Sequence, residues 1–226
     1  MNTIRLLQIL QRYPLFTEND VAKILKTTPT YVRTRLYRLH AQHYIYRIEK
    51  GKYSCHEDPL MYATYIATPS YFSLWTALRY HNLTPQQPVN LSVMTAVPRK
   101  KIVLGNTTIF FVKSKHVFGY TKQRYNDIDI FMAEPEKAIV DCLLYKVPLN
   151  YVREALDEEN INYVKLAEYA QRTKNISLIK RLGYLMEQKT GNDFGLKASD
   201  NNYIPLNYHL KKKGIHDQKW KLILNQ

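Results

Sequence analysis

Apolar residues recur at helical spacing over the first forty positions and switch to strand-like alternation just beyond them. Residues 2–12 place Ile4, Leu7 and Leu10 near one face of an amphipathic helix, which Pro14 ends. A second helix start follows at Thr17: its hydroxyl can cap the helix, Asp20 can complete a capping box, and Phe16 and Val21 can staple the entry. Val21, Ile24 and Leu25 then face inward. Lys26-Thr27 forms a short turn without the glycine often found between such helices. Thr28 caps a third helix, with Pro29 at its first position. At roughly 100° per residue, Val32, Leu36 and Leu39 share the inner face of that helix. Thr30, Thr34, Tyr37, Arg38 and Ala41 then point outward, flanked by Tyr31 and Arg33, with Arg35 nearer the core. Residues 44–54 read as two short strands, Tyr44–Ile48 and Lys52–Ser54, around Glu49-Lys50-Gly51.

Beyond a polar linker at about residues 55–60, the pattern predicts a helix over Tyr71–Asn82 capped by Ser70, with Phe72, Trp75 and Leu78 as its apolar stripe. A strand follows at 89–97, then a hairpin over 101–113 turning at Gly105-Asn106, and another strand at 126–133. Helices are expected at about 135–146, 151–159, 163–173 and 176–190, and a closing strand at 220–225. Strands, then helices, then a last strand predict an α+β fold rather than an alternating α/β sheet. The expected organisation is an N-terminal winged helix-turn-helix over 1–57. A larger α+β domain over 58–226 follows, built as a small, mostly antiparallel sheet packed with helices.

Three helices followed by a hairpin with a basic tip suit a DNA reader. A helix face of hydroxyls, an aromatic and arginines can enter the major groove, where arginine bonds guanine O6 and N7, and threonine meets bases, phosphates or a thymine methyl. The expected DNA-contacting residues are Thr28, Thr30, Tyr31, Arg33, Thr34, Arg35, Tyr37 and Arg38 on the third helix, with Arg47, Lys50 and Lys52 on the hairpin meeting phosphate.

Charge sharpens this picture. The 226-residue chain carries 33 Lys and Arg against 19 Asp and Glu, a net of +14, so an anionic partner is expected. The charge is uneven: residues 59–126 hold eight basic groups and no carboxylate, whereas residues 127–200 hold thirteen acids against ten bases. Arg99, Lys100, Lys101, Lys113 and Lys115 in the acid-free stretch are expected to form a second basic surface, able to extend a DNA footprint, bind RNA or meet an acidic protein. Hydrophobic residues at 45% and charged residues at 23% are ordinary for a globular chain. The sequence shows no membrane-length apolar run and no signal-peptide pattern, and it has two cysteines. Membrane, secreted and zinc-finger classes are therefore not expected, and a cytoplasmic location is.

The segment TENDVAKILKTTPTYVRTRLYRL followed by YIYRIEKGKYS resembles the N-terminal winged-helix domain of the AbiEi family of antitoxins and transcriptional regulators. PSYFSLWTALRYHNLTPQQPVNLSVMT, AEPEKAIVDCLLY (133–145), LIKRLGYLME (178–187) and YIPLNY are similar to later segments of that family, as is the closing run from Gly214 through Trp220 to Asn225, so the likeness spans nearly the whole chain. It implies a repressor that binds the operator of its own operon as double-stranded DNA and counters a nucleotidyltransferase-like toxin, with residues 60–226 carrying the antitoxin activity. No cofactor, metal or catalytic residue is expected, and both monomeric and dimeric binding stay open.

One catalytic alternative is present. Asp127-x-Asp129 on a predicted strand, with Glu134 and Glu136 nearby, has the residue types of a metal-binding carboxylate set for phosphoryl or nucleotidyl transfer. In that reading the winged helix delivers nucleic acid to an enzyme. No glycine-rich phosphate cradle accompanies it, and Glu134 and Glu136 flank Pro135 at a helix start, where they offset the dipole. Cys55-His56-Glu57-Asp58 reads as a polar linker rather than a metal site, since four adjacent residues rarely converge on one ion.

Overall fold

The computed structural model describes residues 1–225 and has two compact units. The first comprises Met1–Phe72, Val89–Val117 and Lys122–Met132, so it continues past residue 57. It opens with α1 (Thr3–Leu10), β1 (Phe16–Thr17), α2 (Glu18–Leu25) and α3 (Pro29–Ala41). The strands β2 (Tyr46–Glu49) and β3 (Lys52–Ser54) follow as an antiparallel hairpin. Asn2 caps α1 by accepting from the Arg5 amide at 2.9 Å. The inner face of α1 is Leu6 and Leu10, with Leu7 beside them, whereas Ile4 is exposed, so the expected stripe is rotated. The Thr17–Asp20 capping box forms as the sequence predicts.

Lys26 takes the left-handed backbone, φ 52°, that ends α2, doing the work usually left to glycine. Thr28 occupies the cap position of α3 and Pro29 its first turn, although the threonine hydroxyl makes no capping bond. Val32, Leu36 and Leu39 are buried, in the register expected from the sequence. They join Leu6, Leu10, Phe16, Val21, Ile45 and Tyr53 in one apolar cluster. β1 pairs antiparallel with β3, Phe16 opposite Tyr53, which ties the start of α2 to the hairpin.

Two 3-10 turns, Pro59–Met61 and Ala63–Tyr65, lead to β4 (Ser70–Phe72). The expected helix does not begin at Ser70: Ser70–Phe72 is a fully buried strand, and α4 (Leu74–Tyr80), which belongs to the second unit, starts after Ser73. A strand buried on both faces shows no alternation and is easily taken for the start of the apolar helix behind it. The strands β5 (Leu91–Thr95), β6 (Ile102–Leu104), β7 (Thr107–Lys113), β8 (Tyr120–Tyr125) and β9 (Ile128–Ala133) complete a six-stranded sheet of order β6-β7-β5-β4-β9-β8. β5 pairs parallel with β7, and β4 parallel with β9, so this sheet is mixed rather than small and mostly antiparallel.

The second unit holds the α4 helix and the helices α5 (Pro135–Leu144), α6 (Leu149–Asp157), α7 (Tyr163–Arg172) and α8 (Ile176–Thr190). A small sheet of β10 (Ile204–Pro205), β12 (Leu222–Leu224) and β11 (Ile215–Asp217) lies within it, with β12 central. α5 is buried along nearly its whole length and packs on α4, α6, α7 and α8. The chain is thus mixed α and β, with strands and helices segregated as expected of the α+β class. Among the described residues no helix is long and apolar enough to cross a membrane.

Candidate nucleic-acid interface

The inward register of α3 decides what its other faces present. With Val32, Leu36 and Leu39 committed to the core, two stripes of the remaining residues line hollows in the surface. Arg33, Tyr37 and His40, at helical spacing, line one side of an open concavity of about 1260 Å³. The hairpin contributes Arg47, Lys50, Gly51, Lys52 and Tyr53 to the same lining, which Thr17, Glu18 and Asn19 at the start of α2 and Pro29 at the start of α3 complete. Tyr31, Thr34, Arg35 and Arg38 form the second stripe, which lines a separate hollow beside Met1, Asn2 and Thr3. Tyr31 and Tyr37, at 57% and 71% exposed, are large aromatics left in solvent, where packing cannot be their role.

The cations differ in how they are held. Arg33 donates from Nε and Nη2 to the Glu18 carboxylate, at 3.2 and 3.1 Å to Oε2. That bonding raises the pKa of Arg33. Arg35 is half-buried and donates Nη2 to the Met1 carbonyl at 3.0 Å, which braces α3 against the N-terminus. Thr28 at the cap of α3 and Thr30, Thr34 and Arg38 within it are exposed, as are Arg47 and Lys50 on the hairpin. Gly51, at φ 76°, permits the tight turn that projects Lys50. Lys52 is instead turned inward: its ammonium pairs with Glu49 at 2.9 Å and donates to the Ile66 carbonyl at 3.0 Å. Sequence reasoning missed Glu18, Asn19 and His40 as lining residues. Glu18 reads only as a first-turn helix acid, and no sequence spacing pairs it with Arg33 fifteen positions away.

Arg99 does not stand in solvent with its basic neighbours. It donates to Glu49 at 2.5 Å and lies over the Phe111 ring, tying the segment before β6 to the hairpin. Lys100, Lys101, Lys113 and Lys115 are exposed, with the Lys101 ammonium 6.0 Å from the centre of the Phe110 ring.

The carboxylate pair Asp127 and Asp129 does not form a shared site. Asp127 precedes β9, is fully exposed and lies 3.9 Å from Arg124, whereas Asp129 lies within the strand, paired with Lys122 at 3.0 Å and with the same Arg124 at 3.1 Å. Those two cations hold the Asp129 carboxyl below the usual carboxylate range. In the second unit, Glu134 accepts from the Tyr169 hydroxyl and pairs with Lys165 at 2.9 Å. Among the described residues no group of three or more His, Cys, Asp or Glu side chains is placed to hold a metal ion. Burial pushes the Cys55 thiol up to about 12, far from the thiolate that binds metal.

No protein-family model matches the chain, and no curated protein matches it either. The likeness to AbiEi antitoxins thus rests on the motifs quoted above.

Proposed function

We propose that the chain is a DNA-binding transcriptional regulator whose first three helices and hairpin act as a winged helix-turn-helix. In this reading α3 enters the major groove of double-stranded DNA and the hairpin follows the flanking backbone. The observation that carries it is the pairing of the exposed stripe Arg33, Tyr37 and His40 with Arg47 and Lys50 across one open concavity. Base-reading donors on a helix and phosphate-binding cations on an adjacent ribbon are the two kinds of contact that duplex recognition needs. Arg33 and Arg38 read bases, while Arg47 and Lys50 hold phosphates. Following the AbiEi resemblance, the regulator acts in the cytoplasm, represses its own operon and counters a nucleotidyltransferase-like toxin. It does so as a binding protein, not an enzyme.

The test is binding to the duplex upstream of its own gene, compared with unrelated duplex over a range of salt. Arg33→Ala and Arg38→Ala should each cost about 1–3 kcal/mol and relax sequence preference. Lys50→Ala should weaken both duplexes alike and reduce the salt slope by about one. Binding and preference unchanged in all three variants would overturn the proposal.

A further inference from the structure

Glu18 is the first residue of α2, immediately after the Thr17 cap, and Arg33 lies in the second turn of α3. The two helices bring the side chains together, although nothing in the sequence links them. Arg33 Nε lies 3.4 and 3.2 Å from the two oxygens of Glu18, and Nη2 lies 3.1 Å from Oε2. The carboxylate therefore engages one edge of the guanidinium. A planar fork held by its Nε/Nη2 edge presents its Nη1/Nη2 edge away from the carboxylate. The Glu18 side chain is only 20% exposed while that of Arg33 is 69% exposed, so the acid is the fixed partner and the arginine tip reaches into solvent.

We propose that Glu18 is a positioning residue that makes Arg33 a guanine reader: it clamps one edge of the guanidinium and aims the other at O6 and N7 of a single guanine. This inference rests on the DNA-reading function proposed above. Electrostatics separates a base contact from a phosphate contact here. A phosphate approaching Arg33 meets the Glu18 charge, which cancels much of the attraction. Guanine offers two uncharged acceptors matched to the fork, so direction counts for more than net charge. A fixed guanidinium also loses less rotational freedom on binding than a free one. Glu18 thus lowers the affinity of this position for DNA in general and raises its discrimination.

The experiment selects binding sites from a duplex DNA library with a randomised centre, using wild type, E18A, E18Q, R33A and E18A/R33A. Wild type should enrich sites with one guanine that R33A no longer requires. E18A should lose about tenfold of the preference for that guanine, as a lost bidentate contact does, and E18Q should lose part of it. E18A/R33A should be no less selective than R33A alone. The salt slope of E18A on unrelated duplex should steepen by about one, because the released arginine takes a phosphate. Thermal melting checks that E18A still folds, and E18Q, which keeps the side-chain length, stands in if it does not. Retained guanine preference in E18A and E18Q, or losses that add in the double variant, would overturn the positioning role. A wild type that enriches no sequence would overturn the DNA-reading function itself, which is a separate and recognisable result.

Discussion

At the scale of single residues, the second unit contains a charge pair that most cores exclude. Lys137 and Asp141, one helical turn apart on α5, are both fully buried and bonded to each other. Asp141 also accepts from the Ser73 hydroxyl at 2.8 Å, and the Lys137 ammonium lies 4.9 Å from the centre of the Phe118 ring. Taking both charges out of water costs several kcal/mol per ion, and their mutual attraction offsets this only while both are present. Lys137→Met should therefore destabilise by about 3–5 kcal/mol, because it leaves the Asp141 charge buried without its cation. Lys137→Met combined with Asp141→Leu should recover most of that loss. Urea unfolding of the singles and the double checks this; a double variant less stable than either single would show that the pair holds the core in a way apolar packing cannot replace. The sequence shows the i, i+4 spacing of these residues, but that spacing also fits an exposed helix pair. Only the burial of α5 on every side makes it a core feature. The same holds for Glu18 and Arg33, whose residue types were legible while their contact depended on the crossing of two helices.

At the scale of elements, the RLGYL run in α8 has a steric explanation. A Cβ added at Gly183 would lie 2.1 Å from the ring carbons of Trp220, so the glycine lets the indole lie against the helix. Trp220 is 1% exposed and donates its ring N–H to Glu187 at 2.7 Å, one turn further along α8. Gly183→Ala should cost about 1–3 kcal/mol through overpacking, despite the better helix propensity of alanine. With Trp220→Ala already in place, the same change should become neutral or stabilising by up to about 1 kcal/mol, since only the propensity difference remains. Chemical denaturation of the four proteins in this cycle measures the coupling, and equal effects in both backgrounds would refute the contact as the reason for the glycine. Elements with strong periodicity or caps were readable in the sequence: α3, the Thr17 capping box and the Gly105 turn all stand where their residues imply. Those without such signals were not. β4 is buried on both faces and lacks alternation, while β8 carries polar residues on an edge strand, where one-sided burial is weak. In α1, both Ile4–Leu7–Leu10 and Leu6–Leu10 are helical stripes, and membership of the buried apolar cluster selects the second.

At the scale of the whole molecule, the charge of +14 is larger than one helix and one hairpin account for. Within the first unit, the pairing of Arg99 with Glu49 joins the segment carrying Lys100 and Lys101 to the hairpin that carries Arg47 and Lys50. Arg99 spends its charge on that tether, whereas Lys100, Lys101 and Lys115 remain exposed in a stretch with no carboxylate to neutralise them. In the function proposed above, a duplex held by the hairpin would meet Lys100 and Lys101 next, and they would act through phosphate alone, since a lysine has no fixed fork to read a base. Each phosphate neutralised contributes about 0.9 to the slope of log affinity against log salt. The double change K100A/K101A should accordingly flatten that slope by about two, weaken specific and unrelated duplex alike, and leave the selected sequence unchanged. Affinity measured from low to moderate salt on both duplexes tests this directly. An unchanged slope would mean that the acid-free stretch serves a different anionic partner. A changed sequence preference would mean that the DNA-reading surface extends beyond α3 and the hairpin.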